Sequence, residues 1–373
     1  MVYNENMDSM SLPYLTETRR KLHKLAELSG KEYKTQEFIC AELERFGFKP
    51  KRIGTGVYCD SGKSGKSKRL ALRADIDALP ITENREVTKV DFCAADGVMH
   101  ACGHDGHTAN LLNVARIVGA KSNIPVRFIF QFGEEGYGGS VQMIECGVLD
   151  GVDEIYAIHL CPELDSGKIG YCYGGMFAGC VEFDTITHGK KSHCAFPADG
   201  ADAIGSALTV YGAIKTAAER NGLLYNLGKI EGGYARNIIS DGCKADYTLR
   251  FYDSAKSEDV MMCAARAAAE ADDRFGTVTD IVTREVYPPL INDALCVDKV
   301  RLAAGENAEP IDPRNTAEDF SNYLNVVSGC MSWLGIRDET HTSPLHSDTF
   351  GFDERALLAG TELFLKLIEM RQM

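Results

Sequence analysis

The chain has 373 residues, of which 45% are hydrophobic, 25% charged and 9% aromatic. That length exceeds what a single core usually holds and points to two domains. A formal charge of −14 argues against nucleic acid or an anionic membrane as the main partner, and no apolar run approaches the ~20 residues of a membrane span.

The opening eleven residues carry Glu5 and Asp8 and no apolar core, so they do not read as a signal peptide. Residues 15–28 are charged and amphipathic and predict a helix. Residues 35–46 predict a second, with Ile39, Leu43 and Phe46 on one face and Gly47 as its C-cap. Residues 61–69 (SGKSGKSKR) contain Gly-Lys-Ser twice. Neither copy has a glycine five residues earlier, so the phosphate-loop spacing fails and a polar turn is expected.

Three strand-like runs follow. Residues 69–74 end at Asp75, 126–132 end at Glu134-Glu135, and 154–158 end at His159. A helix over 107–119 separates the first two. Strand–helix alternation predicts an α/β domain with a mostly parallel sheet and helices on both faces. The polar residues lie at the carboxyl ends of the runs, where open α/β sheets place their ligand sites.

The texture changes near Cys180. Strands are expected at 181–187, 237–239, 245–252 and 278–286, with helices at 203–220 and 257–275. This β-α-β-β-α-β order predicts a small inserted α+β (ferredoxin-like) domain. Tyr287-Pro288-Pro289 marks its exit, and helices at 294–305 and 353–370 rejoin the first sheet. The expected domains are therefore 1–179 with 288–373, and 180–287. Thirteen scattered cysteines, with no CxxC pair, suit a reduced, cytoplasmic protein better than a disulfide framework.

Residues 99–107 read Met-His-Ala-Cys-Gly-His-Asp-Gly-His, so three of only nine histidines fall in one short block. One reading is a polar helix start capped by Asp105. The other is a site for divalent transition metal. A co-catalytic dinuclear site needs two metals ~3.5–4 Å apart, a bridging ligand and a carboxylate that takes a proton from water. Cys102 and His104 sit two apart. Glu134 and Glu135 are adjacent, so their side chains are expected to diverge, one as ligand and one as base. His159 and His346 add imidazoles, and Asp75 can orient a ligating histidine.

Several segments carry a family resemblance: Arg19-Arg20-Lys21-Leu22-His23, Arg73-Ala74-Asp75-Ile76-Asp77-Ala78-Leu79-Pro80, the 100–107 block, 131–135, His159-Leu160, Glu318-Asp319-Phe320 and Leu345-His346-Ser347. The chain resembles the aminoacylase/carboxypeptidase family of dinuclear metallohydrolases. Within it, the chain is similar to the amidohydrolase subfamily of indoleacetyl-amino-acid hydrolases, hippurate hydrolases and N-acetyldiaminopimelate deacetylases.

The resemblance implies two divalent metal ions (Zn, Mn, Co or Ni) held by Cys102, His104, Glu135, His159 and His346, with Glu134 as general base. It makes 180–287 a lid and dimerisation domain. In that lid, His193 stabilises the oxyanion, and Asn237 and Arg250 bind the substrate's carboxylate side. These lid residues would reach the metals when the cleft closes, or across a homodimer. The implied reaction is hydrolysis of the amide bond of small N-acyl (N-acetyl or aromatic-acyl) amino acids. A dipeptidase or carboxypeptidase on the same scaffold, a cysteine hydrolase using Cys102, and a binding protein without chemistry are the alternatives. The chain departs from the family pattern at Ala26, at Lys191-Ser192 and at His341-Thr342-Ser343-Pro344.

Overall fold

The computed structural model describes residues 5–62, 69–120, 122–136 and 138–371, with the backbone alone at 5–10 and 285. Most of the expected polar turn, at 63–68, lies outside the described residues. The chain divides into two compact units. One comprises Met1–Met176, Ile291–Asp312 and Asp319–Met373, the other Phe177–Leu290 and Pro313–Glu318.

The larger unit is built on an eight-stranded sheet. Its strand order is Lys51–Ile53, Gly56–Asp60, Val126–Gln131, Arg69–Asp75, Val152–Asp165, Ser328–Arg337, Ile169–Tyr171, Ala308–Pro310. The four central strands, Val126–Gln131 through Ser328–Arg337, are mutually parallel. Every residue of Arg69–Asp75 and Val126–Gln131 is buried, as are the eight inner residues of Ser328–Arg337. Strands buried on both faces need helices on both, the packing of an α/β layer architecture. The register sets Asp75 beside Gln131, so the chemistry-bearing strand ends lie level at one edge.

The helices follow the expected pattern with shifted ends. The first runs Glu5–Leu25, earlier than 15–28, and the second Tyr33–Arg45. Gly47, one residue past the C-cap Phe46, takes φ +88. The third spans His104–Val118, so the histidine block lies at its N-terminus.

Two expectations about this unit need correction. His159 does not end its strand; it sits inside Val152–Asp165. The neighbour Ser328–Arg337 pairs with that strand on past His159 to Asp165, whereas pairing with Arg69–Asp75 stops at Ala157. The second correction is Ser328–Arg337 itself, a central strand in a stretch where none was expected.

The smaller unit is an antiparallel sheet in the order Leu224–Gly232, Gly242–Phe251, Gly179–His188, Val278–Tyr287. Burial alternates strictly along Gly242–Phe251, which leaves one face for packing. Phe183, Tyr247 and Leu249 on that face form one core with Ile214 and Val260 of the helices Ala203–Asn221 and Ser254–Phe275. Asp202 and Asp253 cap those helices by accepting backbone N–H groups, and Gly222 and Gly276 close them. The β-α-β-β-α-β order holds, with one change of member. Its second strand is Leu224–Gly232, while the expected 237–239 is a two-residue strand, Ile238–Ile239, paired with Ser192–His193.

Candidate active site

The helix beginning at His104 is entered through an unusual turn. Gly103 precedes it at φ +84, and a Cβ there would come within 2.6 Å of Leu160. Only glycine combines that backbone with so close an approach. The result turns Cys102 and His104 into one buried space.

Two donor triads meet there. Cys102, His104 and His159 form one; Cys102, Glu135 and His346 form the other; within each, the donor atoms lie within 4.8 Å of one another. Cys102 Sγ lies 3.5 Å from His159 Nε2 and 3.3 Å from His346 Nε2. Glu135 Oε1 is 3.4 Å from His346 Nε2 and 3.8 Å from His104 Nε2. Sharing of one thiol by two triads is the arrangement a bridging ligand requires.

Each imidazole of the first triad is aimed by its other nitrogen. His104 Nδ1 lies 3.0 Å from the Asp77 carbonyl and 3.2 Å from Asp77 Oδ1, and His159 Nδ1 lies 2.9 Å from the Leu160 carbonyl. Both Nε2 atoms are thereby left to face the cavity. His104 Nε2 and Glu135 Oε1 are buried without a hydrogen-bond partner, a costly state that a bound cation relieves.

The electrostatics agree. Burial, then the carboxylates of Glu135, Glu134 and Asp75, push the Cys102 thiol well above its ordinary pKa. A thiolate here therefore needs a compensating cation. Burial lowers the pKa of His104, but the carboxylates of Asp75 and Asp77 outweigh it and raise the group to about 10. Without metal this site holds protons, which cation binding would displace. The same surroundings weigh against Cys102 as a nucleophile, since reactive thiols sit in electropositive sites.

Glu134 and Glu135 do not diverge as expected. A carboxylate oxygen of each lies within 4.8 Å of the other and of His104. They occupy the turn after Val126–Gln131, where the alternation of a strand no longer applies. Asp75 bonds directly to His107, not to His104. Its Oδ1 is 2.6 Å from His107 Nδ1, whereas its Oδ2 stands 3.8 Å from His104 Nε2. The residue that orients His104 is Asp77, whose Oδ2 also accepts the Glu135 N–H at 2.9 Å and the Ser29 hydroxyl at 2.6 Å. Its signal was present in the 73–80 motif, two residues beyond Asp75.

The three histidines of the block have three different environments. His104 faces the cavity. His107 is bonded through both nitrogens. His100 is buried with neither nitrogen partnered, and burial lowers its pKa to about 4.

His193, Asn237 and Arg250 belong to the smaller unit. His193 and Asn237 are exposed and adjacent, Ile238 pairing with His193 and the Asn237 carbonyl accepting the Cys194 N–H at 3.0 Å. His193 Nδ1 accepts the Ala195 N–H at 3.1 Å, which leaves Nε2 outward. Arg250 is half-buried and lines a cavity of about 460 Å³ with Asn226, Thr248, Asn315 and Thr316. It sits at the opposite end of the sheet. The register pairs Gly242 with His188 and Arg250 with Cys180, and the strand rise between Gly242 and Arg250 is about 27 Å.

Thiol, imidazole and carboxylate donors gathered over a parallel α/β sheet from a helix start, a turn, a strand and a loop, with a further carboxylate beside them, are the donor set of a metal-dependent hydrolase. The chain belongs to the peptidase family M20/M25/M40, which it matches over residues 71–370. It is 33% identical to the N-acetyl-L-cysteine deacetylase of Bacillus subtilis over 354 residues, 91% of this chain and 84% of that one. It is also 33% identical to thermostable carboxypeptidase 1 of Saccharolobus solfataricus, over 93% of this chain and 92% of that one. Among solved structures, a Bacillus subtilis protein described as a dinuclear metal binding peptidase of the M20 family superposes with a TM-score of 0.83 at 28% identity, covering 97% of this chain and 99% of that one.

Proposed function

We propose that this hydrolase cleaves the amide bond of N-acyl amino acids, releasing a carboxylic acid and a free amino acid. The observation that carries the reading is the pair of donor triads sharing Cys102, with the Glu134 carboxylate outside both and within 4.8 Å of His104 and Glu135 donor atoms. The ligands are Cys102, His104, Glu135, His159 and His346. Such a donor set takes zinc, manganese, cobalt or nickel. When bound, the metal pair supplies Lewis acidity, polarising the amide carbonyl and easing deprotonation of water. Glu134 takes the proton of the attacking water and returns it to the leaving amine, base first and acid second. His193 donates through Nε2 to the developing oxyanion.

The Bacillus relative named as an N-acetyl-L-cysteine deacetylase supports the N-acyl substrate. The relative named as a carboxypeptidase favours a second reading, a dipeptidase or carboxypeptidase on the same scaffold. A panel of N-acetyl amino acids, aromatic-acyl amino acids and dipeptides, run with and without chelator, separates them. The first reading expects chelator-sensitive release of amino acid from the N-acyl compounds. Turnover of dipeptides alone would favour the second, and turnover untouched by metal removal would sink both.

His193 and Asn237 lie on or beside the Ser192–His193/Ile238–Ile239 ribbon, and Arg250 lies at the end of its strand that pairs with Cys180. We infer a homodimer formed through residues 180–287, across which the lid residue His193 reaches the metals of the partner chain. Residues 1–179 with 288–373 act as the catalytic domain and 180–287 as the lid. Co-expression of two inactive variants, Glu134→Gln and His193→Ala, tests this. Random pairing under two-fold symmetry regenerates about a quarter of wild-type sites; no recovery would assign His193 to its own chain. The thirteen cysteines, all free thiols, support a reducing, cytoplasmic setting. Among the described residues no helix is long and apolar enough to cross a membrane.

A further inference from the structure

The ligand assignment leaves His107 without a task, and its geometry supplies one. The Leu160 backbone N–H donates to His107 Nε2 at 2.9 Å. That nitrogen therefore carries no proton, and its lone pair is occupied. The proton sits on Nδ1, which donates to Asp75 Oδ1 at 2.6 Å. Both nitrogens are committed inside the protein, so His107 cannot ligate a cation without breaking a buried bond.

The chain of bonds extends in both directions. Asp75 Oδ2 accepts from Arg73 Nη1 at 2.6 Å. Arg73, fully buried, is fixed in turn by Gln131 Oε1 at 2.9 Å and Asp319 Oδ1 at 3.1 Å. At the other end, Leu160 follows His159, and its carbonyl lies 2.9 Å from His159 Nδ1. The His107 ring lies 4.8 Å from that of His159 and 5.3 Å from that of His104. It thus packs against both imidazoles of one triad.

In the other triad, Glu135 is held through its backbone N–H by Asp77 Oδ2 at 2.9 Å, but its imidazole is more open. The His346 side chain is 52% exposed. Its backbone takes φ +63 in an irregular loop, tied by a bond of its N–H to the Ala101 carbonyl at 2.8 Å. A β-carbon makes that conformation unfavourable.

We propose that the buried series Asp319–Arg73–Asp75–His107–Leu160 is a strut that sets the positions of His104 and His159. Through it the Cys102/His104/His159 triad takes its cation first and more tightly than Cys102/Glu135/His346. His107 is a positioning residue and not a ligand. The inference rests on the ligand assignment above but not on the identity of the substrate.

Titration of the metal-free protein with Co²⁺ or Zn²⁺ against a competing chelator tests it without recourse to activity. His107→Gln keeps an acceptor near Nε2 for Leu160 and loses the donor to Asp75; His107→Asn does the reverse; Asp75→Asn removes the charge between Arg73 and His107. Each is expected to weaken the first equivalent about 10–100-fold, to leave the second unchanged and to preserve a stoichiometry of two. Unchanged affinity in folded variants overturns the strut, and a stoichiometry of one makes His107 a ligand. Histidine ¹⁵N spectra of the wild type probe the same point without a substitution. His107 should keep its Nδ1–H form as metal is added, and a metal-induced shift at His107 Nε2 contradicts the proposal. His104→Ala and His159→Ala separate the two levels. If they leave the first equivalent intact, the ligand assignment fails; if they abolish it while the His107 variants do not, only the strut fails.

Discussion

The two units treat their candidate functional side chains in opposite ways. In the larger unit, His104 and His159 are buried, with one nitrogen bonded inward and the other facing the cavity. In the smaller unit, His193 and Asn237 are exposed on or beside a two-stranded ribbon, and Arg250 stands at the far end of the sheet. Under the proposed assignment, the groups that hold cations are the ones braced by further hydrogen bonds behind them. Groups that need only meet a substrate are presented on edges. Substitutions among the braced groups should therefore act on metal, and those among the presented groups on turnover alone.

The largest expected effect falls on turnover. Glu134→Gln keeps size and fold but removes the proton acceptor, so kcat should drop about 10²–10⁴-fold with metal content unchanged. Steady-state kinetics and metal analysis on one preparation check this; a variant retaining more than about a tenth of the rate would strip Glu134 of the role.

His193→Ala probes the exposed side of the comparison. Loss of an oxyanion donor should lower kcat and kcat/KM together, about 10²–10³-fold, and leave metal untouched. If metal is lost instead, the separation of braced from presented residues breaks down.

Asp77→Asn probes the braced side. The amide cannot accept equally from the His104 imidazole, the Glu135 N–H and the Ser29 hydroxyl. Metal affinity should fall about 10–100-fold, with activity restored at high metal concentration. Wild-type affinity in this variant would show that the clamp on His104 is dispensable.

Much of this site was legible because its ligand types are rare and clustered. Cys102, His104 and the Glu134-Glu135 pair stand out by chemistry alone. Distinguishing His104 from His107 was not possible from spacing, because the choice depends on which nitrogen the Asp77 and Leu160 backbones occupy. The turn that brings Glu134 and Glu135 onto one cavity was hidden for a similar reason, since adjacency fixes opposite faces only within a strand. In the fold, Leu224–Gly232 escaped notice as a strand. It is a largely exposed edge strand (LYNLGKIEG) with two glycines and little β-branched content, and pairing with Gly242–Phe251 rather than propensity makes it a strand.

The smallest effect is expected away from both sites. Arg284 and Lys244 reach Asp184 at 2.6 and 3.0 Å and, against the opposing effect of burial, hold its carboxyl below the usual range. Its contribution is present above the unfolded carboxyl pKa and is lost as pH falls through the depressed folded value. Asp184→Asn should cost about 0.5–1 kcal/mol near neutrality, read as a small fall in Tm that disappears in acid, with metal content and kcat unchanged. A change in metal content would mean that the smaller unit helps to hold the cations.

The proposed assignment turns on one thiol, Cys102, shared by two donor triads. The direct measurement is the metal-to-protein ratio of reconstituted wild type and Cys102→Ser, taken by elemental analysis after identical dialysis. A serine hydroxyl is a poor ligand at neutral pH, where cysteine binds as thiolate. Two metals per wild-type chain are expected, with a substantial loss at both positions in the variant. Two metals retained by Cys102→Ser, with or without activity, would contradict a shared thiol.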